Sequence, residues 1–380
     1  MPELPDVELY ATHLRRRIVG QVLERVRVNN AFLVRSFAPP LRESETRRVV
    51  AIRRIGKRIV FDLESDLHLV LHLMIAGRLR WRPAGAKIPG KIGLAAFDFG
   101  VGTLVLTEAS TTRRASLHLV HGEAGVRALD PGGAEPLEID AETFRAALRR
   151  ENHTVKRTLT DPRILSGIGN AYSDEILWRA GLSPVRLTQA MTDEQLDRLH
   201  AATQTTLREW TERLARDTGH AFPEEVTAFR EGMAVHGRGG QPCPRCGAPV
   251  QRIAYASNEA NYCARCQNGG RLLADRALSR LMRGDWPKTI DQMEQLFSAA
   301  KISAAPSPRE DTAASSETGS NEAAAAPSAA ANRASSRSDA TSSNQASAAP
   351  RGAPEESRRR SPATDPNGRG TRRRTTRKRR

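Results

Sequence analysis

All four cysteines of the 380-residue chain fall between positions 243 and 266, as Cys243-Pro-Arg-Cys246 and Cys263-Ala-Arg-Cys266. Two residues separate the members of each pair, and sixteen separate the pairs. That is a metal-ligand spacing, and four thiolates without histidine or carboxylate predict tetrahedral Zn²⁺. Four sulfurs fill the coordination shell and leave no place for a catalytic water. One structural Zn²⁺ is therefore expected, stapling a hairpin too small to build its own core. Two redox dithiols are the alternative reading.

The chain carries a net charge of +16. Residues 351–380 hold twelve basic and three acidic residues, which leaves +7 for residues 1–350. The main body is thus basic in its own right, as a binder of nucleic acid would be. Ribosome or membrane-surface binding fits the same balance. No charged–apolar–small leader opens the chain, and no apolar run is long enough to span a bilayer. The expected location is cytoplasmic and nucleoid-associated, with no membrane partner.

Residues 2–20 read as an amphipathic helix stopped by Gly20. Short β-branched runs follow at 22–28, 49–52, 59–63, 68–74, 94–99 and 103–106, and imply an antiparallel sandwich or barrel. Asp130-Pro131-Gly132-Gly133-Ala134-Glu135-Pro136 reads as an exposed linker. Helical patterns then cover 141–150, 154–165, 171–179 and 193–216. Gly167-Ile168-Gly169-Asn170 makes a tight turn between the middle pair. Asn170 suits a helix cap, and the amides there could hold a phosphate. A bare structural helix hairpin is the alternative. From about residue 302 the chain is Ala/Ser/Pro/Thr-rich, and its last aromatic is Phe297. Such a segment cannot bury a core and reads as disordered. Its terminal Arg/Lys runs read as a DNA tether or a solubilising tail.

The first residues carry chemistry. Removal of Met1 would leave Pro2 as a secondary-amine terminus. Such an amine titrates near neutrality and can form an iminium with an aldehyde-like carbon. Glu3 beside it could move protons. Lys57, after Gly56 on a tight turn, could hold a phosphate and assist proton transfer. Without such company, Pro2 and Pro5 merely stiffen an exposed start and Lys57 is a turn lysine.

Pro2-Glu3-Leu4-Pro5-Asp6-Val7-Glu8, Gly56-Lys57, Ser166-Gly167-Ile168-Gly169-Asn170 and the four cysteines together resemble the formamidopyrimidine-DNA glycosylase / endonuclease VIII family. The resemblance covers roughly residues 2–270. It implies an α+β multidomain fold with an N-terminal antiparallel β-sandwich and flanking helix (1–130). A helix–two-turn–helix domain (136–233) and a zinc-finger β-hairpin (234–270) would follow; beyond the resemblance, the chain's own amphipathic patterns and composition predict an added helical segment (271–300) and a disordered basic tail (301–380). The resemblance implies a monomeric DNA glycosylase with AP-lyase activity on duplexes holding oxidised bases or abasic sites. Pro2, Glu3 and Lys57 would be catalytic, and Cys243, Cys246, Cys263 and Cys266 would bind the metal. Lys91, Arg113, Lys156, Asn170 and Asn258 would contact DNA, and Ile75 would fill the void left by an extruded base. Ile75 and Met74 also read as plain core.

This chain departs from the family at several positions. Ala115 stands where an aromatic inserts, Ile92 where a histidine follows the lysine, and Asn152 where a basic residue is common. Asn258 replaces a hairpin arginine tied to the second elimination. The loop after the helices, associated with oxidised guanine, has no convincing copy in 222–233. An oxidised-pyrimidine preference, or a lesion-binding protein with little catalysis, are the alternatives.

Overall fold

The computed structural model describes residues 1–227, 229–255, 258–274, 280–281 and 287–303, leaving aside the side chains of 297–303. Helix α1 (Leu4–Ile18) precedes eight strands: β1 (Val22–Val28), β2 (Arg47–Ile55), β3 (Arg58–Leu63), β4 (Leu67–His72), β5 (Gly77–Arg82), β6 (Gly93–Phe99), β7 (Gly102–Glu108) and β8 (Ser116–His121). The expected runs are all present, joined by β5 and β8. Strand β8 shows a period of two, with Leu117 and Leu119 buried between more accessible neighbours.

Every pairing is antiparallel, in the order β5-β7-β6-β1-β2-β3-β4-β8. Strands β1 and β2 share only Val22↔Arg48 and Leu23↔Arg47. The sheet folds over at this weak seam, and its two halves face each other. Phe61 on β3 stacks against Phe97 on β6 across the core, with ring centroids 6.1 Å apart. This is face-to-face packing, as in a β-sandwich.

Helix α1 serves two cores. Val7, Tyr10, Ala11, Leu14 and Ile18 enter the sandwich core. Leu4 and Leu9 enter the helical core with Phe144, Ile168, Tyr172 and Trp210. The start of the chain is thereby anchored on both sides. Helix α2 (Gly122–Ala128) follows β8 and lays Val126 against Val60 and Val70.

The helical region holds α3 (Ala141–Arg149), α4 (Val155–Thr160), α5 (Asn170–Ala180) and α6 (Asp193–Thr218). The expected helix 154–165 stops at Thr160. Asp161 is extended, with ψ 113°, because the ring of Pro162 disfavours a helical residue before it. Thr192 and Gln195 form a reciprocal capping box at the start of α6. The hairpin β9 (Gln251–Ala254) and β10 (Glu259–Tyr262) follows, then α7 (Ala264–Asn268) and α8 (Ile290–Ser303).

Of the helical patterns expected after the cysteines, the one beginning at Arg271 starts as non-helical chain over 271–274, whereas 290–303 is helical. Arg271 bridges to Thr289, and Leu272 N–H donates to the Lys288 carbonyl at 2.9 Å. Residues 275–279 and 282–286 lie outside the described residues, as does the expected disordered tail from 304 on. Among the described residues no helix is long and apolar enough to cross a membrane.

The loop between β4 and β5 depends on Gly77. A Cβ there would sit 2.2 Å from the Leu73 carbonyl oxygen, and Gly77 N–H donates to that same oxygen at 2.9 Å. Gly77→Ala must move backbone, so it is expected to cost about 2 kcal/mol or more. A denaturant midpoint within error of wild type would contradict this.

Candidate active site

Glu3 precedes α1 in extended conformation, and its N–H donates to Asp6 Oδ2 at 2.9 Å. Asp6 is buried and pairs with Arg230 at 2.6 Å. Burial pushes the Asp6 carboxyl pKa up, and Arg230 opposes that. The Glu3 side chain points away from its own helix. Its carboxylate accepts from Gly169 N–H (2.6 Å), Ala171 N–H (2.8 Å) and Tyr172 N–H (3.2 Å). Leu4 N–H donates to the Gly167 carbonyl at 2.9 Å. The N-terminal segment is therefore clamped on the 166–170 turn.

The two glycines of the turn have steric causes. Gly167 has φ +79°, and a Cβ there would lie 2.9 Å from Leu4 Cβ. A Cβ on Gly169 would lie 2.4 Å from the Glu3 carboxyl carbon. Two expectations are corrected here. The cap of α5 is Gly169, with Asn170 as first helical residue. Three amides expected to be open to phosphate are instead taken by Glu3.

A cleft of about 750 Å³ opens beside this clamp. It gathers Met1, Lys57, Ile75, Asn170 and Asn258, together with Arg114, Phe229 and Arg252. Lys57 sits on the β2–β3 turn after Gly56 (φ +55°). Burial pushes the Lys57 ammonium pKa down, and Glu3 opposes that. The Met1 amine is lowered chiefly by burial, again opposed by Glu3. A smaller cavity of about 240 Å³ adjoins, lined by Met1, Lys57, His72 and Ser166 among others. Burial, then Arg58 and Lys57, push His72 down to about 4, so it is neutral near pH 7.

Ile75 is 56% exposed, follows Met74 at φ +52°, and faces the cleft rather than the core. Arg113 and Lys91 are exposed outside the cleft lining, and the Arg113 guanidinium donates to the Lys91 carbonyl. Arg114 is the arginine of that loop that lines the cleft. Glu108 shapes the loop by accepting from Arg114 N–H and Ala115 N–H. Ala115 is buried in the sandwich core, with no access to a duplex.

Lys156 is buried. Its ammonium donates to the Asn170 carbonyl (3.1 Å), Ser173 Oγ (3.0 Å) and Asp174 Oδ1 (2.5 Å). Three acceptors use all three of its N–H bonds. Sequence reasoning missed the rest of this network. His236 Nδ1 lies 2.8 Å from Asp174 Oδ2, which also accepts from Asn261 Nδ2 at 3.2 Å. Glu175 accepts from the N–H groups of Ala234, Val235 and His236 at 2.7–2.9 Å. Two adjacent acidic residues inside the otherwise mostly apolar α5 were the available signal.

The four cysteine sulfurs lie within 4.8 Å of one another. Cys243 and Cys266 are 3.9 Å apart, and Cys246 and Cys263 are 3.4 Å apart. Zn–S bonds of about 2.3 Å in a tetrahedron require sulfurs roughly 3.8 Å apart, so the set fits one closed Zn²⁺ site. Trp178 Nε1–H on α5 donates to Cys243 Sγ at 3.3 Å, and the Arg245 guanidinium lies 4.3 Å from the Trp178 ring centroid. The site thus anchors the finger on α5. One zinc per chain is expected by elemental analysis, and stripping it should abolish duplex binding and lower thermal stability. Full binding by metal-free protein would contradict that role.

Comparison with known proteins agrees with this geometry. Residues 1–119 match the formamidopyrimidine-DNA glycosylase N-terminal domain, and residues 132–219 match the formamidopyrimidine-DNA glycosylase H2TH domain. Residues 240–269 match the zinc finger found in FPG and IleRS. The formamidopyrimidine-DNA glycosylase of Heliobacterium modesticaldum is 34% identical over 283 residues, covering 70% of this chain and 100% of that protein. That of Thermus thermophilus is 32% identical over 279 residues, covering 71% and 100%. Lactococcus lactis Fpg in complex with abasic-site DNA aligns with TM-score 0.62 and 26% identity, over 70% of this chain and 99% of that one. The same enzyme with DNA containing an oxidised pyrimidine gives the same score and identity, covering 70% and 100%. The chain belongs to the formamidopyrimidine-DNA glycosylase family.

Proposed function

We propose that this chain is a base-excision repair glycosylase that removes oxidised bases, foremost formamidopyrimidines and oxidised purines, and nicks the resulting abasic site. The observation that carries the reading is the convergence of the chain start, Glu3 and Lys57 beside one cleft. Once Met1 is removed, the terminus is the secondary amine of Pro2, a residue that is itself buried. Burial disfavours the protonated amine and so favours the nucleophile.

In this mechanism the damaged nucleotide is rotated out of the duplex, with Ile75 entering the space it leaves. The Pro2 nitrogen bonds to the sugar C1′ as the base departs with its electron pair and a proton. The sugar ring then opens: the C1′–O4′ bond breaks, O4′ takes a proton, and the nitrogen lone pair closes the C1′=N iminium, which acidifies C2′ so that loss of its proton drives β-elimination and the 3′ phosphate leaves. Glu3, fixed by three amides, exchanges protons with the sugar and the leaving base. Lys57 holds the neighbouring phosphate and supports elimination. Lys91, Arg113, Asn170 and Asn258 are proposed backbone contacts. Lys156 supports the Asn170 turn from beneath through its bond to the Asn170 carbonyl.

One observation favours oxidised pyrimidines as a second substrate class. The segment 222–233 is short and tied down through Arg230–Asp6 and a Glu224–Arg82 ion pair. That leaves little chain to fold over a purine. The protein acts as a monomer in the cytoplasm, associated with the nucleoid.

Borohydride reduction of the imine tests the reading on duplexes holding an abasic site, a formamidopyrimidine, an oxidised guanine or an oxidised pyrimidine. Wild type should give a covalent adduct that maps to Pro2, and Pro2→Gly should give far less. Glu3→Gln should slow base release by roughly 10²–10⁴-fold, the range for lost acid–base catalysis. Wild-type protein that binds every duplex but traps on none would establish a lesion-binding protein instead.

A further inference from the structure

A duplex in the cleft presents phosphates to both walls. Lys57 and Arg114 line the wall built by the N-terminal sandwich. Among the described lining residues from the helical and finger segments, Arg252 is the one arginine or lysine. The hairpin register explains its position. Arg252 pairs with Asn261 and Ala254 with Glu259, so these four side chains share one face. Ile253, Ala260 and Tyr262 occupy the other face and pack into the finger core. Asn258, near the hairpin tip, offers only a neutral amide to the same cleft.

The Arg252 guanidinium is engaged but accessible. Its Nε lies 2.6 Å from Glu259 Oε2, and its side chain is 60% exposed. Glu259 is itself held, since its other oxygen accepts from Asn261 Nδ2 at 3.0 Å. Asn261 in turn donates to buried Asp174. The carboxylate is therefore a fixed cradle, and the arginine is the movable partner.

We propose that Arg252 is the finger's phosphate-binding cation, parked on Glu259 in the free protein and transferred to a backbone phosphate when duplex enters. Guanidinium exchanges a carboxylate for a phosphate, so it keeps a charge-assisted bond throughout and is never left unpaired. The exchange sets a toll on binding, because Glu259 competes with DNA for the same cation. This rests on the reading of the cleft as a DNA site.

The test is equilibrium binding of the full-length, zinc-loaded protein to a duplex with a non-cleavable abasic analogue, across a salt series. Arg252→Ala should weaken binding about tenfold. It should also reduce the slope of log K against log salt by about one phosphate contact. Glu259→Gln should bind several-fold tighter than wild type. Asn258→Arg placed in the Arg252→Ala background should recover most of the lost slope. Arg216→Ala, an exposed α6 residue outside the cleft lining, controls for loss of a charge as such, and zinc content with melting temperature confirms folding.

An unchanged slope and affinity in folded Arg252→Ala would overturn the inference, as would weaker binding by folded Glu259→Gln. Trapping on abasic DNA, run in parallel, separates the two readings. Wild-type trapping with an unaltered Arg252→Ala slope sinks this inference alone. Absent wild-type trapping sinks the glycosylase/lyase reading, whatever the slope does.

Discussion

The site depends on one carboxylate. Glu3 lies at the chain start, yet its oxygens are bound by amides 166 to 169 positions later. Hydrogen bonds to a charged group contribute roughly 1.5–3 kcal/mol each, and the start of a helix adds a favourable dipole. Three such bonds hold a terminal segment that would otherwise fray. The same contact brings together the sandwich, which carries Lys57 and Ile75, and the helical region, which carries Asn170. The split of α1 between two apolar cores reinforces that join.

A second polar network ties the helical region to the zinc finger. Asp174 and Glu175 are buried on α5, and each is fully occupied by the other elements it touches. Buried networks of this kind favour a single arrangement, although Asn261 Oδ1 has no hydrogen-bond partner among the described residues, and removal of one member leaves a further buried group unpaired. Trp178 adds a donor to a zinc-site sulfur from the same helix. Helix α5 thus receives Glu3 at its N-terminus and carries the finger along its side.

Much of this was legible from residue spacing. The cysteine pairs predicted the closed metal site, and the glycines at 167 and 169 marked the turn. The short β-branched runs marked the sandwich strands. What stayed hidden was the long-range use of polar groups. Nothing local tells that Glu3 reaches the turn amides, that Lys156 turns inward to Asp174, or that Gly169 rather than Asn170 caps α5. Arg113 and Arg114 are equivalent by composition. Only the fold of the loop around Glu108 puts Arg114 in the cleft. Ile75 could not be divided from core by hydrophobicity alone, because its exposure follows from the left-handed turn at Met74.

The most direct test of this account is amide hydrogen exchange at Gly169, Ala171 and Tyr172 in wild type and Glu3→Ala. Wild type should protect all three against exchange, and the variant should lose that protection selectively while the sandwich strands keep theirs. Equal, fast exchange at these amides in both proteins would show that Glu3 does not hold the turn, and would contradict the account.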